Sequence, residues 1–232
     1  GPIQSLRRTP VRDHELSPGC YLLAFNQPGR EGQEATLSVS RDSDPALRIT
    51  LNSPYRNMVV IPAGSAALPE LGNVQVPAFA IDRFEFPNQA GQPPRAGIET
   101  VLEARALCAR EGKMLCTPAQ WLRACMGDEQ RKWPYGTAYL PGACAAGFDP
   151  DAQRAPFPSG SFPRCRTPEG IYDMSGNVSE WTDGEPDAQI VLGGYWTDSV
   201  RWAETYLSCR AREAPAMVNR QRSGVRCCRN LK

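Results

Sequence analysis

Three short runs near the N-terminus have the hydrophobic and polar pattern of β-strands, and the third alternates clearly. The runs cover residues 21–25, 35–40 and 46–51, with turn-forming residues at 26–29 and 42–45. In the third run, Leu47, Ile49 and Leu51 alternate with polar residues, which is the two-residue period of a half-buried strand. We therefore predict a small β unit at 18–56. It follows a polar arm, residues 1–17, which begins with a pair typical of a protease-cleavage scar and is interpreted as a tag remnant and linker.

A first helix is predicted by capping signals early in the remaining region, residues 57–232. Thr100 can accept a hydrogen bond from the backbone at the helix start, and Glu103 lies three residues later, as in a capping box. Gly112 marks the end, because glycine adopts the left-handed conformation that often follows a helix.

A second helix is predicted from Thr117 to about Met126. Pro118 occupies the first helical position, Gln120 completes another capping box, and Gly127 ends the helix. The rest of the chain has little helical periodicity, and the 20 glycines and 22 prolines favour turns, loops and short strands. The fold class predicted from these patterns is α+β, with few helices and strands and many loops.

The length, net charge and hydropathy of the chain limit the number of domains and the classes of partner to be expected. A chain of 232 residues can hold one large domain and a small one. The net charge of +1 gives no indication of a nucleic-acid partner. No apolar run approaches the roughly 18 residues of a membrane span, and no signal-peptide pattern is present, so we expect no membrane span.

Nine cysteines are unusual for a cytosolic chain. Zinc binding is disfavoured, because there is no Cys-x-x-Cys pair and the single histidine, His14, lies near the N-terminus. Disulfide bonds explain the cysteines better, and they predict an oxidising compartment, periplasmic or extracellular. Spacing alone leaves the connectivity open.

The most unusual segment is residues 170–181, with the sequence GIYDMSGNVSEW. Asp173 and Glu180 could supply carboxylates, and the carbonyl groups of Gly176 and Val178 could add further oxygens, which are the ligands that calcium prefers. We therefore predict a structural calcium site at these four residues. The alternative is a solvated turn without a metal.

Six ordered sequence blocks resemble the formylglycine-generating enzyme family, also called the sulfatase-modifying-factor domain. They are KMLCTPAQW at 113–121, WPYG at 133–136, PSGSFP at 158–163, the 170–181 segment, LGGYW at 192–196 and SGVRCC at 223–228. The resemblance implies a variant of the C-type-lectin fold. The preceding β unit resembles, more weakly, the PEGA-type modules of bacterial envelope proteins.

The same resemblance implies a disulfide pattern. Cys108 matches a family cysteine that pairs at the position of Cys227, and Cys125 matches one that pairs at the position of Cys209. Cys116 with Cys228 is then an additional pair, and Cys144 with Cys165 a fourth. Two of these bonds would join the two predicted helices to C-terminal strands. Cys20 is left over and is interpreted as a free buried thiol.

Catalysis by the known chemistries of the family is not expected. The resemblance implies copper held by two cysteines, but the matching positions fall near Ser199 and Glu204, and Cu(I) requires soft thiolates. A second branch of the family uses iron held by a histidine cluster, which one histidine cannot build. We therefore expect neither copper nor iron and no catalytic residues.

A group of aromatic, charged and polar residues between 199 and 210 is the candidate partner-binding site. Tryptophan, tyrosine and arginine dominate binding hot spots, because they offer large contact area and strong hydrogen bonds. The candidate residues are Ser199, Arg201, Trp202, Glu204, Tyr206 and Arg210. In the alternative, Trp196 and Trp202 both lie in the core and the charged residues form an ordinary solvated surface. For Trp196 the core position is favoured.

Three functions remain open at this stage. The favoured one is a non-catalytic binding or sensor module that recognises a protein or small ligand in the cell envelope. The second is an oxidase or other enzyme of the family with a divergent active site. The third is a hypervariable lectin-like display protein.

Overall fold

The computed structural model describes residues 19–25, 33–39, 55, 57–68, 72–184, 190–213 and 219–231. The chain divides into two units, Gly1–Pro54 and Tyr55–Lys232. In the first unit, β1 (Gly19–Phe25) and β2 (Gln33–Val39) form an antiparallel hairpin in which Gly19 lies opposite Val39. These strands overlap the first two predicted runs. The third predicted strand, 46–51, and both predicted turns lie outside the described residues.

The second unit contains two four-stranded sheets and a separate hairpin. One sheet has the order β3-β6-β12-β7, the other has the order β10-β9-β8-β11, and β4 pairs with β5. Only the β8–β11 pair is parallel among the described pairs. The strands are β3 (Met58–Ile61), β4 (Gly64–Leu68), β5 (Gly72–Val76), β6 (Phe79–Asp82), β7 (Met114–Leu115), β8 (Ser179–Trp181), β9 (Val191–Leu192), β10 (Arg212–Glu213), β11 (Ser223–Val225) and β12 (Cys227–Asn230).

Both predicted helices are present. They are α1 (Val101–Arg110) and α2 (Pro118–Met126), and α2 has the complete capping box of Thr117 and Gln120. A short third helix, α3 (Ala203–Tyr206), follows a 3-10 turn at Val200–Trp202 and was not predicted. The α+β class with few helices and small sheets is confirmed. Among the described residues, no helix has the length and apolar character that crossing a membrane requires.

The predicted capping box of α1 is only half correct. The Thr100 side chain accepts a hydrogen bond from the Glu103 N–H, as expected. The Glu103 carboxylate, however, accepts from the N–H of Glu99 at 3.2 Å rather than from Thr100, and it forms an ion pair with Arg95 at 2.9 Å. The nearby guanidinium therefore draws the carboxylate away from the cap position.

The two longer helices pack into two different hydrophobic clusters. Trp121 on α2 is fully buried in the first, together with Phe79 and Ile81 of β6. α1 contributes Leu107 to the second cluster, which also contains Trp181 of β8. Strand β8, which ends the 170–181 segment, thus belongs to the packed interior between the two helices.

Four disulfides join distant parts of this unit. They are Cys108–Cys227, Cys116–Cys228, Cys125–Cys209 and Cys144–Cys165, the four pairs that the family resemblance implied. One detail of the prediction is wrong: Cys209 lies in a turn after α3 and not on a strand. The side chain of Cys20 lies outside the described part of the chain, so its predicted free thiol stays a prediction.

Candidate functional site: the signature loop and an exposed aromatic surface

The 170–181 segment is a buried structural loop. From Asp173 to Trp181 every residue is buried, so the solvated-turn alternative is wrong. The loop donates backbone hydrogen bonds from Gly176 to Gly193 at 2.8 Å and from Asn177 to the carbonyl of Ala145 at 2.9 Å. A Cβ on Gly176 would collide with that same carbonyl, so glycine is required for the close approach.

Glu180 forms a fully buried ion pair with Arg226. The Arg226 guanidinium donates to Glu180 Oε1 at 2.7 Å through Nη2 and at 3.0 Å through Nε, and Trp121 Nε1 donates to Oε2 at 2.6 Å. The remaining Arg226 donors reach the carbonyl oxygens of Asp82 and Tyr172. A buried pair is stable only when its remaining donors and acceptors are satisfied, and Arg226 meets that condition.

Two more carboxyl groups share this interior. Glu85 is completely buried, accepts hydrogen bonds from Asn177 Nδ2 at 2.7 Å and from the Val178 N–H at 3.1 Å, and has a pKa raised well above its usual value by burial and by Asp173 and Glu180. Burial also raises the pKa of Asp173 to about 6, although the Gly160 N–H donates to its carboxylate at 2.7 Å. Arg226 is the cation that these three carboxyl groups share.

This arrangement bears on the calcium prediction. The oxygens of Glu180 are already bound by Arg226 and Trp121, and one oxygen of Asp173 is bound by Gly160. Of the predicted ligands Asp173, Gly176, Val178 and Glu180, the Glu180 carboxylate is thus fully engaged within the protein and the Asp173 carboxylate is engaged at one oxygen. Within the described ranges, no group of three or more His, Cys, Asp or Glu side chains could hold a metal ion. Calcium binding by this loop stays a prediction.

The six candidate binding residues lie together on the surface. All are exposed, including Trp202 at 57% and Tyr206 at 41%. Trp202 ends the 3-10 turn and Tyr206 ends α3, so one short stretch of backbone carries both rings. We call this group the Trp202 surface: Ser199, Arg201, Trp202, Glu204, Tyr206 and Arg210.

Charged groups surround the rings of this surface. The Arg201 guanidinium carbon lies 5.6 Å from the centre of the Trp202 ring, within the range of a cation–π contact. Glu204 pairs with Lys132 at 3.2 Å, but both side chains are more than half exposed, so the pair contributes little stability. The surface therefore combines exposed aromatic rings with charged side chains that are themselves exposed to solvent.

Buried contacts fix the backbone that carries the Trp202 surface. Leu207 and Cys209 are buried, the Ser175 hydroxyl donates to the Leu207 carbonyl at 2.7 Å, and the Cys209 N–H donates to the Lys132 carbonyl at 2.7 Å. The Cys125–Cys209 disulfide adds a covalent connection to α2. A surface held in this way loses less conformational entropy when a partner binds.

Trp196 lies in the core, as expected. It is buried beside Val178 and Ala145, and its indole N–H donates to the Gln153 carbonyl at 2.8 Å. The Arg222 guanidinium packs over its ring at 5.5 Å. Its neighbour Asp198 is also buried, and burial raises the Asp198 pKa to about 6.

The groups at the implied copper positions do not suit copper. Ser199 offers a hydroxyl, and Glu204 a carboxylate that already pairs with Lys132. Cu(I) prefers sulfur ligands. The eight cysteines whose side chains the structure describes are all in disulfides, Cys209 included, so none of them offers a thiolate.

Sequence reasoning missed Glu85 and Arg226, the two fully buried charged residues that complete the interior network. The only signal for Glu85 is its place between two aromatic residues, Phe84 and Phe86. A charge between such residues is often buried and partnered, but Arg83 beside them is only half-buried, so this signal does not separate the two cases. The burial of Arg226 had no comparable signal, because an arginine just before Cys227 and Cys228 could equally well be exposed.

These features define a disulfide-bonded α+β domain with a buried charged network and a fixed exposed surface. The family model of the sulfatase-modifying factor enzyme 1-like domain matches residues 89–231. The chain therefore belongs to the sulfatase-modifying factor family, and the resemblance seen in its sequence blocks is confirmed.

Curated relatives come from two groups of this family. The chain is 31% identical over 163 residues to inactive C-alpha-formylglycine-generating enzyme 2 of Bos taurus, a match covering 60% of this chain and 52% of the relative. It is 38% identical over 87 residues to hercynine oxygenase of Mycolicibacterium smegmatis, covering 36% of this chain and 20% of the relative. The chain thus spans about half or less of the length of these relatives.

Two solved structures share the fold. CarF superposes with a TM-score of 0.54 at 16% identity, covering 76% of this chain and 98% of CarF. Variable protein 1 of Treponema denticola superposes with a TM-score of 0.56 at 13% identity, covering 75% of this chain and 95% of that protein. At such low identity these similarities establish the fold alone.

Proposed function

We propose that this chain is a non-catalytic binding or sensor module on the sulfatase-modifying-factor scaffold, and that it recognises its partner through the Trp202 surface. The observation that carries the proposal is the exposure of all six candidate residues on a backbone fixed by buried contacts. Large exposed aromatic side chains are costly to leave in water, and they are typical of binding hot spots.

The absence of catalysis is part of the same proposal. Ser199 and Glu204 replace soft metal ligands with oxygen groups, and Cys209 is held in a disulfide with Cys125. One curated relative carries the word inactive in its name. The matches to hercynine oxygenase cover a fifth of that relative's length, so its activity gives weaker support for an oxygenase here.

A location outside the cytoplasm is proposed on the basis of the four disulfides. Such bonds form and persist in oxidising compartments and are rare where thiols are kept reduced. The partner is accordingly a protein or small ligand of the cell envelope or the extracellular space.

The test compares partner capture by the wild-type chain with capture by Trp202→Ala and Tyr206→Ala. Each substitution should weaken binding by about 2 kcal/mol or more and leave the melting curve unchanged, because both side chains are exposed. Leu102→Ala is the matched control, since Leu102 is 68% exposed but lies on α1 and not on the Trp202 surface.

A parallel assay addresses the enzymatic alternative. The purified chain should neither hold Cu(I) tightly nor oxidise a cysteine-containing peptide. Copper-dependent turnover of that peptide would overturn the proposal, and so would equal partner capture by the wild type, Trp202→Ala and Tyr206→Ala.

A further inference from the structure

A second surface feature shares no residue with the Trp202 surface. It is a cleft of about 310 Å³, formed where residues 84–91 meet residues 159–172. The lining residues are Phe84, Ala90, Gly91, Ser159, Gly160, Ser161, Pro163 and Tyr172. Its volume lies at the lower end of the range for ligand sites, so it suits a short segment or a small molecule. We call it the Tyr172 cleft.

Two aromatic rings and a proline give the cleft its apolar walls. The rings of Phe84 and Tyr172 stack with centres 5.1 Å apart and an angle of 26° between their planes. Phe84 is buried and Tyr172 half-buried, so Tyr172 is the more accessible ring. A Cβ on Gly160 would lie 3.1 Å from Phe84 Cε1, so glycine leaves the space in front of that ring open.

The hydrogen-bonding groups of the cleft are mostly used within the protein. The N–H groups of Gly91, Ser159 and Ser161 donate to backbone carbonyls, and that of Gly160 donates to Asp173. The hydroxyls of Ser159 and Ser161 donate to Glu85 and to the Pro158 carbonyl. Among the described residues, the Tyr172 hydroxyl makes no hydrogen bond, which leaves it as a side-chain donor for a ligand.

The hydrogen-bonding groups left available in the cleft indicate which kind of ligand it can bind. A sugar carries a hydroxyl on most of its carbon atoms and needs several directed donors, whereas the side chains of this lining offer only the Tyr172 hydroxyl, because those of Ser159 and Ser161 already donate within the protein. A proline-rich segment has apolar ring faces, no N–H on its prolines, and isolated carbonyl acceptors. Such segments adopt the extended polyproline helix without ordering cost and dock into aromatic-lined grooves.

We propose that the Tyr172 cleft binds a proline-rich peptide segment, with a prolyl ring packed against Tyr172 and Pro163 and a peptide carbonyl accepting the Tyr172 hydroxyl. The absence of charged side chains from the lining matches the uncharged ligand. The partner is thus a protein with an exposed proline-rich stretch.

The experiment titrates the full chain with an acetylated, amidated hexaproline peptide and follows amide chemical shifts by NMR. Saturable shifts should appear for residues of the Tyr172 cleft. Tyr172→Ala should raise the Kd by about tenfold or more, and Tyr172→Phe by roughly two- to tenfold through loss of one hydrogen bond. Pro163→Ala, at an exposed position, should also weaken binding and serves if Tyr172→Ala fails to fold.

Controls separate this site from the proposed function. Tyr206→Ala should leave hexaproline binding unchanged, because Tyr206 belongs to the Trp202 surface. A Gly-Ser hexapeptide should not bind. The proposal is overturned if hexaproline causes no saturable shifts, if Tyr172→Ala binds it like the wild type, or if hexoses shift the cleft residues while hexaproline does not.

Discussion

Asp173 combines a left-handed backbone conformation with a buried carboxyl group. Its φ is 59°, a value at which aspartate and asparagine are tolerated better than most residues. The side chain is 2% exposed, and burial, with a smaller contribution from the neighbouring Glu180, raises its pKa to about 6. At neutral pH the folded protein therefore holds a poorly solvated negative charge at this position.

Replacing Asp173 with asparagine should stabilise the protein at pH 7.5. Because the folded pKa of about 6 exceeds the unfolded value of 3.8, the native state keeps a proton that the unfolded state releases. The free energy of unfolding of the wild type should thus fall as pH rises from about 4 to 6, by an order of 2–3 kcal/mol. Asp173→Asn should remove this loss and keep an oxygen for the Gly160 N–H. Urea denaturation at several pH values measures the difference.

The matched control is Asp149→Asn, an exposed substitution that should change stability little at any pH. The opposite result would support calcium at this loop. In that case Asp173→Asn would lower the melting temperature in calcium, and excess chelator would remove the difference between the variant and the wild type.

For single residues, the sequence indicated which side chains matter better than it indicated how buried they are or which residues they contact. The burial of Trp196 was expected from its place after a Gly-Gly strand, whereas the sequence left open whether Trp202 is exposed or buried, and the structure shows it exposed. The partner of Glu180 was not predicted, because Arg226 lies 46 residues away and becomes its neighbour only through the β8–β11 pairing. The local pattern of oxygens at 173–180 predicted calcium, which stays a prediction, and it gave no indication that the Arg226 guanidinium binds Glu180.

In the second unit the two longer helices were predictable from the sequence and the strands were not, for a physical reason. The ends of α1 and α2 are encoded by local capping groups, such as Thr117 with Gln120. The strands of the second unit are only two to five residues long, and apart from the local β4–β5 hairpin most of them pair with partners far away in sequence. α3 was missed for a related cause, because its four residues form one turn supported by the buried Leu207 and Cys209.

Ser175→Ala should loosen α3 and with it the Trp202 surface. The Ser175 hydroxyl donates to the Leu207 carbonyl, and its loss leaves that buried acceptor without this donor, at a cost of about 1–3 kcal/mol. Hydrogen exchange should therefore accelerate at 203–209 more than in α1. Ser161→Ala, at an exposed position outside this contact, is the control and should leave exchange at 203–209 unchanged. Equal exchange at 203–209 in Ser175→Ala and the wild type would show that the contact does not fix the surface.

For the whole molecule, the sequence predicted the class, the family and the disulfide pairs, since these depend on ordered blocks and cysteine positions. It did not predict the Tyr172 cleft, whose two walls come from segments about 75 residues apart. A cleft of this kind is a property of packing between loops, and no local pattern records it.

Two of the disulfides are close to redundant, and this makes a prediction about global stability. Cys108–Cys227 and Cys116–Cys228 join nearly the same two segments, closing loops of 119 and 112 residues. While one bond is intact, the other closes a residual loop of only about ten residues. In the chain-entropy account such a small loop contributes about 3 kcal/mol, whereas a loop of about 110 residues contributes about 5 kcal/mol.

Replacing either pair by alanine should therefore cost about 3 kcal/mol, and replacing both should cost about 8 kcal/mol, more than the sum of the single losses. Urea denaturation of the wild type, the two single-pair variants and the double-pair variant measures the coupling. Failure of the double-pair variant alone to fold would agree with this expectation. Strictly additive losses, or a loss of about 5 kcal/mol from each single pair, would show that each bond constrains the unfolded chain independently of the other.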